Sequence, residues 1–327
     1  MSGLYDVLNA FELLSGMDDA VPRGSPFEVR IVGRDSEPVV TASGLPVRAD
    51  VALADATEAD VVIVPSLLVE RGEWVQGRYP EVVQWLGQRH EDGALICSAC
   101  SGVLLVAETG LLAGRDATVH WAYANTFRRN YPDVNLRIEE ALLAAGDRNE
   151  FVMSGASASW SDLALYLIAR IAGTTAAQAI ANFLLLQWHT EGQAPYVAFV
   201  PRLDHGDGAV LRIQQWIASN LSARNPVEEM TLQSGLSERT FKRRFVQATG
   251  FTPINYVQQV RIESGKRLLE RTDLSIDEIS FQVGYMEPAA FRRIFRRTTR
   301  LTPGEYRRRF RTPFLMQAQG AGRLAAG

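Results

Sequence analysis

The last third of the chain contains one pattern twice. Residues 226–250 read PVEEMTLQSGLSERTFKRRFVQATG, and residues 275–300 read SIDEISFQVGYMEPAAFRRIFRRTTR. Aligned on Gly235 and Gly284, each gives a short helical stretch, a glycine and a second helical stretch. Glycine reaches positive φ without a Cβ clash, so it lets two helices meet at a sharp angle. Phe241–Lys242–Arg243 and Phe291–Arg292–Arg293 fall at matching places in the two second helices. A chain built this way must fold its C-terminal part as two small helix-turn-helix bundles.

The outward faces of those second helices carry the chemistry. Ser237 stands where an N-cap belongs, and Phe241, Phe245 and Val246 are expected to share the buried face behind it. Arg239, Lys242 and Arg243 then point outward. Phe291 and Phe295 repeat the i, i+4 plug, which leaves Arg292, Arg293, Arg296 and Arg297 outside. Side chains near the start of such a helix reach base edges, and later cations meet phosphates. An arginine-rich helix face is often only a solvated surface, but the charge distribution argues against that here. Residues 221–314 hold 18 Lys and Arg against 10 Asp and Glu, whereas residues 1–220 hold 15 against 27. The net charge of −3 conceals a basic end on an acidic body, a footprint of nucleic-acid binding.

Between the two patterns, Pro253 opens a long helical run, INYVQQVRIESGKRLLERT, with Ile254, Val257, Val260 or Arg261, Leu268 and Leu269 on a broadly apolar face. A rigid helix there would hold two reading heads at a fixed separation, and adjacent major grooves on one face of B-DNA lie about 34 Å apart. From about Val210 to Phe310 the chain resembles the DNA-binding domain of the AraC/XylS type, on LSERTFKRRF, ATGFTPINYVQQVRI, RLLERTDLSIDEISFQVGY, FRRIFRR and LTPGEYRRRF. The resemblance implies that Arg239, Thr240, Lys242 and Arg243 lie on the first recognition helix, and Pro288, Ala289, Arg292, Arg293 and Arg296 on the second. Two residues depart from the pattern. Met230 stands where alanine is usual, and Arg300 replaces the usual glycine before Thr–Pro.

The first two-thirds alternate short apolar runs with helical stretches, the mark of βαβ units. Strands are expected at Phe27–Val32, Val61–Pro65, Ala94–Ala99, Thr118–Trp121 and Phe151–Ser154. Helices are expected at Leu4–Leu14, Pro80–His90, Gly102–Thr109, Trp121–Asn130 and Ser161–Gly173. The unbroken run Val61–Val64 suits a parallel strand buried on both faces. The fold class is therefore a doubly wound α/β domain followed by an all-α domain with two helix-turn-helix units. A boundary is expected in PYVAFVPRLDHGDG, which gives a domain over 1–195, a linker over 196–208, a DNA-binding domain over 209–314 and a flexible tail over 315–327. No run of apolar residues is long enough for a membrane span, the N-terminus lacks the basic region of a signal peptide, and two cysteines three apart form no disulfide framework. The chain reads as cytoplasmic and associated with the bacterial nucleoid.

One element in this part carries possible reaction chemistry. ALICSACSGVLLVAE is a strand-like run, then Cys100–Ser101–Gly102, then a helix, which exposes a thiol at a tight strand-to-helix turn. With GLLAGRDATVHW it resembles the class I glutamine amidotransferase-like fold of the PfpI/ThiJ type, which is flavodoxin-like. SGASASWSDLALYLIARIAG and GQAPYVAF, together with the AraC-type end, extend the resemblance to GlxA-like transcriptional regulators. Cys100 matches the elbow cysteine and His120 a histidine near it in catalytic relatives. Ser101 stands where protease-like relatives place histidine, and Pro65–Ser66–Leu67 replaces the Gly-Gly pair that supplies an oxyanion-hole amide. The family's first strand, with its acidic residue, is not found in this sequence. These departures make Cys100 and His120 vestiges of a catalytic pair. Cys97 reads as a core residue, Trp121 as a packing residue, and His90, His189 and His205 as ordinary surface or linker residues.

The sequence thus points to a DNA-binding transcriptional regulator with no cofactor and no metal. Its expected partners are double-stranded promoter DNA, RNA polymerase, an unidentified small-molecule effector held near Ser66, Cys100, Ser101 and His120, and a second copy of the chain. The competing reading is a cysteine-dependent hydrolase or hydratase using Cys100.

Overall fold

The apolar runs of the first two-thirds become strands whose alternate residues serve two different cores. The computed structural model describes residues 2–35 and 37–311. The chain divides into two units, the first Met1–Ala194 and the second starting at Pro195. In the first unit the helices are α1 (Ser2–Leu8), α2 (Phe11–Leu14), α3 (Pro80–Glu91), α4 (Gly102–Glu108), α5 (Ala124–Asn130), α6 (Trp160–Ile171) and α7 (Thr174–Phe183). The strands are β1 (Val32–Gly33), β2 (Val39–Val40), β3 (Pro46–Val47), β4 (Val51–Ala52), β5 (Val61–Val64), β6 (Leu95–Ala99), β7 (Asp116–Ala117), β8 (Asn135–Leu136), β9 (Leu142–Ala145) and β10 (Phe151–Ser154).

Four strands form the main sheet in the order β5-β6-β10-β9, with β5, β6 and β10 parallel and β9 antiparallel at one edge. Period-2 alternation sends Val62, Val64, Ile96, Phe151 and Met153 to a core that also holds Leu86, Leu104 and Phe127. Val61, Ile63, Leu95, Cys97 and Val152 face the other way, onto Leu4, Phe11, Leu163 and Ile180. Helices therefore cover both faces, as a doubly wound domain requires. Among the described residues β5 ends the sheet, and β1 pairs only with β4.

Several expected elements are redrawn. The strand expected at Thr118–Trp121 is absent; β7 ends at Ala117 and pairs with β8, and Trp121–Tyr123 forms a 3-10 turn before α5. The strand expected at Phe27–Val32 shrinks to the two residues of β1, because Phe27 and Val29 pack against the core without a ladder. The helix expected over Leu4–Leu14 breaks between α1 and α2, where the Asn9 side-chain amide donates to the Tyr5 carbonyl. Strand β9 and helix α7 carried no sequence signal strong enough to read.

The second unit holds α8 (Gly208–Ser219), α9 (Pro226–Ser234), α10 (Glu238–Thr249), α11 (Pro253–Arg271), α12 (Ile276–Gln282), α13 (Pro288–Thr299) and α14 (Pro303–Phe310). Helix α11 feeds both small cores: Tyr256 and Val257 join Ile213, Met230, Phe241 and Phe245, while Ile262 and Leu269 join Ile279, Phe291, Phe295 and Tyr306. Its 19 residues span about 28 Å at 1.5 Å per residue. Met230 is fully buried and simply fills the first core, whereas Val246, expected on the buried face, is exposed. Its place in the packing is taken by Ala248.

Residues 196–208 are not a free linker. Phe199 packs on the first core, the Lys266 ammonium donates to the Val197 carbonyl at 2.7 Å, and Gly208 already belongs to α8. The tail expected over 315–327 lies outside the described residues.

The two turn glycines do unequal work. Gly235 has φ +67 with open space where a Cβ would stand, whereas a Cβ on Gly284 (φ +91) would lie 2.1 Å from the Leu221 carbonyl oxygen. Gly235→Ala should cost about 1–2 kcal/mol, the left-handed strain alone. Gly284→Ala should cost about 1–3 kcal/mol more, because a backbone oxygen cannot swing aside. Denaturant unfolding of the two variants measures the difference.

Candidate nucleic-acid interface and cysteine corner

Helices α10 and α13 are pinned from behind by phenylalanine pairs. The Phe241 and Phe245 rings meet at a tilt of 57° with centroids 5.4 Å apart, and Phe291 and Phe295 repeat the spacing and the tilt. All four rings are fully buried, so the opposite faces must be outward. On α10, Arg239, Lys242 and Arg243 are exposed, and Thr240 is half-buried with its hydroxyl accepting from Ser237. Ser237 occupies the N-cap position but spends its hydroxyl there rather than on a backbone N–H. Lys242 pairs with Glu238, and Arg244 is held by Asp207 through two bonds of 2.8 Å. Arg239 and Arg243 have no hydrogen bond or salt bridge among the described residues.

On α13, Ala289, Arg292, Arg293 and Arg296 are exposed and Pro288, at the first helical position, is half-buried. Arg292 pairs with Asp277, and Arg297 donates to the Gln258 side chain at 2.9 Å. Arg292, Arg293, Arg296, Arg297, Arg300 and Thr302 line an open cleft of about 680 Å³. Arg300 caps α13 in the left-handed region, φ +60, where the first head has Gly250 at the end of α10. The repeat is therefore asymmetric. When the two second helices are aligned on Phe241 and Phe291, Val246, Gln247 and Gly250 correspond to Arg296, Arg297 and Arg300, and Arg239 corresponds to Ala289. The first head offers cations at the start of its helix, and the second concentrates them at the end, where the helix dipole also favours positive charge.

The cysteine corner lies at the junction of β6 and α4. Cys100 has φ +55, is nearly inaccessible, and donates its N–H to the Ser154 carbonyl at 2.7 Å. Its Sγ lies 3.7 Å from the Ser157 hydroxyl. Tyr123 is close enough that burial, and then the Cys100 charge, raise its pKa. A Cβ on Gly102 would meet the Val64 and Pro65 carbonyl oxygens at 2.4 and 2.6 Å, so the elbow presses directly on the end of β5.

His120 and Ser101 do not complete a catalytic set. The His120 Nδ1 accepts the Ala122 N–H at 3.2 Å, which puts the ring proton of the neutral form on Nε2. Burial also lowers the His120 pKa, and no hydrogen bond joins it to Cys100 among the described residues. Ser101, expected to face an effector, is wholly buried. Its hydroxyl donates to the Leu67 carbonyl (2.7 Å), accepts the Leu67 N–H (2.8 Å) and lies 3.0 Å from the exposed Ser66 hydroxyl. At the strand end Pro65 has no N–H to offer an oxyanion, and that of Leu67 is taken by Ser101.

Residues 231–309 match the Helix-turn-helix domain family, and residues 4–145 match the DJ-1/PfpI family. The chain carries a DJ-1/PfpI domain and a helix-turn-helix domain. It is 26% identical over 278 residues to the HTH-type transcriptional regulator CdhR of Pseudomonas aeruginosa, covering 85% of this chain and 80% of that one. It is 28% identical over 218 residues to the HTH-type transcriptional regulator GlxA of Rhizobium meliloti, covering 66% of each. An AraC family transcriptional regulator from Pseudomonas putida superposes with a TM-score of 0.46 at 17% identity, over 56% of this chain and 90% of that one.

The DJ-1/PfpI domain holds further polar groups that sequence reasoning passed over. Gln193 is buried and donates to the Val119 and Glu140 carbonyls, each at 3.0 Å, so it ties down the loop that carries His120. His189 is no ordinary surface residue: its Nδ1 lies 2.7 Å from a carboxylate oxygen of buried Asp162, whose other oxygen accepts the His189 N–H. His90 stacks on Phe151 at 5.1 Å. In the second unit, His205 bonds the Gln214 side chain at 2.8 Å. Apart from Gln214, nine positions from His205, each partner is distant in sequence, and spacing did not show it. Cys97 is buried as expected, and burial raises its pKa far above the usual thiol range. Among the described residues no cluster of His, Cys, Asp or Glu could hold a metal ion.

The Ser101 network gives a direct expectation. Ser101→Ala leaves the half-buried N–H and carbonyl of Leu67 unpaired and should cost about 1–3 kcal/mol. Ser66→Ala, at an exposed site, should stay within about 0.5 kcal/mol. Thermal unfolding of the two variants separates them.

Proposed function

We propose that this chain is a sequence-specific, DNA-binding transcriptional regulator whose two recognition helices read adjacent major grooves of promoter DNA. One observation carries the reading: α10 and α13 are both anchored by buried phenylalanine pairs in one unit, and both turn arginines outward. Arg239, Thr240, Lys242 and Arg243 contact DNA from the first head. Pro288, Ala289, Arg292, Arg293 and Arg296 contact it from the second. In the arginine cleft of α13, Arg296 and Arg297 take backbone phosphates, while Arg239, Arg243 and Arg293 meet base edges.

The DJ-1/PfpI domain senses a small-molecule effector at the corner of Cys100, Ser66 and His120, with Ser101 supporting the floor rather than touching the ligand. Retained left-handed strain at Cys100, which a purely structural turn could relieve with glycine, supports this placement. Gln193, which fixes the His120 loop, lies two residues before Pro195, where the second unit begins. The same stretch of chain therefore ends the sensor and starts the DNA-binding unit. The working form is a homodimer that engages RNA polymerase at the promoter, in the cytoplasm with the nucleoid. Among the described residues no helix is long and apolar enough to cross a membrane.

Recovery of bound sequences from a random duplex pool, at several salt concentrations, tests the reading; one enriched motif with two contacts supports it, and binding without enrichment refutes it. Arg243→Ala or Arg293→Ala should cost about 1–3 kcal/mol and relax preference at one base position. Arg296→Ala should weaken all sequences evenly and flatten the slope of log K against log salt by about 0.9. Cys100→Ala should leave specific DNA binding intact, measured by fluorescence anisotropy on the recovered motif. Loss of specific binding in that variant would contradict the assignment of Cys100 to the sensor alone.

A further inference from the structure

Residues 196–207 form neither helix nor strand, yet they are fastened along the whole helical unit. The Tyr196 ring meets Phe310 edge-on at 5.0 Å, and its hydroxyl accepts from Arg309 at 2.8 Å. The Val197 carbonyl accepts the ammonium of Lys266, which is buried 5.7 Å from the centre of the Tyr306 ring. Phe199 packs edge-on against Tyr256 at 5.2 Å and Phe251 at 5.6 Å, and its N–H donates to Glu263 at 3.3 Å. The Arg202 carbonyl accepts the Gln214 amide at 3.0 Å. Asp207 then caps α8 and grips Arg244, on α10 itself; that bond holds its carboxyl down at about 2.

These contacts close two aromatic chains. The first runs Phe241–Phe245–Tyr256–Phe199, with successive centroids 5.4, 5.2 and 5.2 Å apart. The second runs Phe291–Phe295–Tyr306–Phe310–Tyr196, at 5.4, 5.3, 4.3 and 5.0 Å. Each chain starts under a recognition helix and ends within the same four residues, 196–199. Close-packed rings transmit displacement because they have few alternative arrangements. Burying the Lys266 ammonium is tolerable only while its partners stay in place, the Val197 carbonyl at 2.7 Å and the Glu263 carboxylate at 3.5 Å.

We infer that residues 196–207 are a brace that sets the separation and angle of the two recognition helices. Tyr196, Phe199 and Lys266 are positioning residues for two-site DNA recognition, although none lies on α10 or α13. The inference rests on the proposed DNA-binding function. Two linked contacts gain affinity only when their spacing matches the target, and a loosened pair loses that gain without losing either contact.

The test uses the full chain and the motif recovered from the pool, as three duplexes: both contacts intact, one contact scrambled, and the spacer lengthened by two base pairs. Wild type should prefer the intact duplex over each of the others by about tenfold or more. Tyr196→Ala/Phe199→Ala and, separately, Lys266→Met should bind the scrambled duplex as wild type does, with both preferences reduced to about threefold or less. Preferences left at the wild-type level, or affinities for all three duplexes falling together in folded protein, overturn the brace. Circular dichroism identifies any variant that fails to fold. Tyr196→Phe, which removes only the hydroxyl bond to Arg309, and Lys266→Met then decide the matter. Absence of any two-contact preference in wild type would instead sink the DNA-reading proposal.

Discussion

The geometry of the helical unit depends on where the Arg261 guanidinium is buried. It projects from the middle of α11, donates to the Leu221 carbonyl at 2.9 Å and the Ala223 carbonyl at 2.8 Å, and lies 5.4 Å from the centre of the Tyr285 ring. The first two partners belong to the loop between α8 and α9, in the first head, and Tyr285 follows the turn of the second. Burial lowers the Arg261 pKa and pushes the Tyr285 hydroxyl up to about 12, so neither group is at ease in its place. A buried cation is stable only while its acceptors hold. Gly284 exists at that point because a side chain there would strike both Leu221 and Arg261. One charged group and one missing Cβ thus lock two otherwise separate bundles together, and α11 supplies the distance between them.

Much of this was legible because it is local. The turn glycines, the phenylalanine pairs at i, i+4, the proline that opens α11 and the capping positions all announce themselves within a few residues. Strands β5, β6 and β10 were equally plain, since each is a short, mostly apolar run in a stretch bounded by turns, VVIV, LICSA and FVMS. Failures came where tertiary contacts decide. Val246 has the right spacing for the core, but Ala248 fills the place. Residues 196–208 look like a linker because proline, glycine and charge suggest a loop. Their fastening to Phe310, Lys266 and Arg244 crosses up to 114 positions, Tyr196 to Phe310, and leaves no periodic trace. Ser101 sat in the right motif with the wrong orientation, because its hydroxyl turns toward the Leu67 backbone.

The DJ-1/PfpI domain keeps the backbone of a nucleophile elbow while its surroundings have been rewired. Cys100 still holds a left-handed conformation at the tip of β6. Pro65 has no N–H, the Leu67 N–H is occupied by Ser101, and His120 uses one ring nitrogen to cap its own 3-10 turn. A site that holds a strained thiol in place with no base hydrogen-bonded to it suits binding better than turnover. That division of labour matches the charge distribution, with an acidic first unit and a basic second one.

Hydroxyl-radical footprinting of the full chain on its recovered motif tests the central claim most directly. The account predicts two protected patches on one face of the duplex, about one helical turn apart. A single patch, or protection that ignores the sequence beneath it, would contradict a rigid two-headed reader.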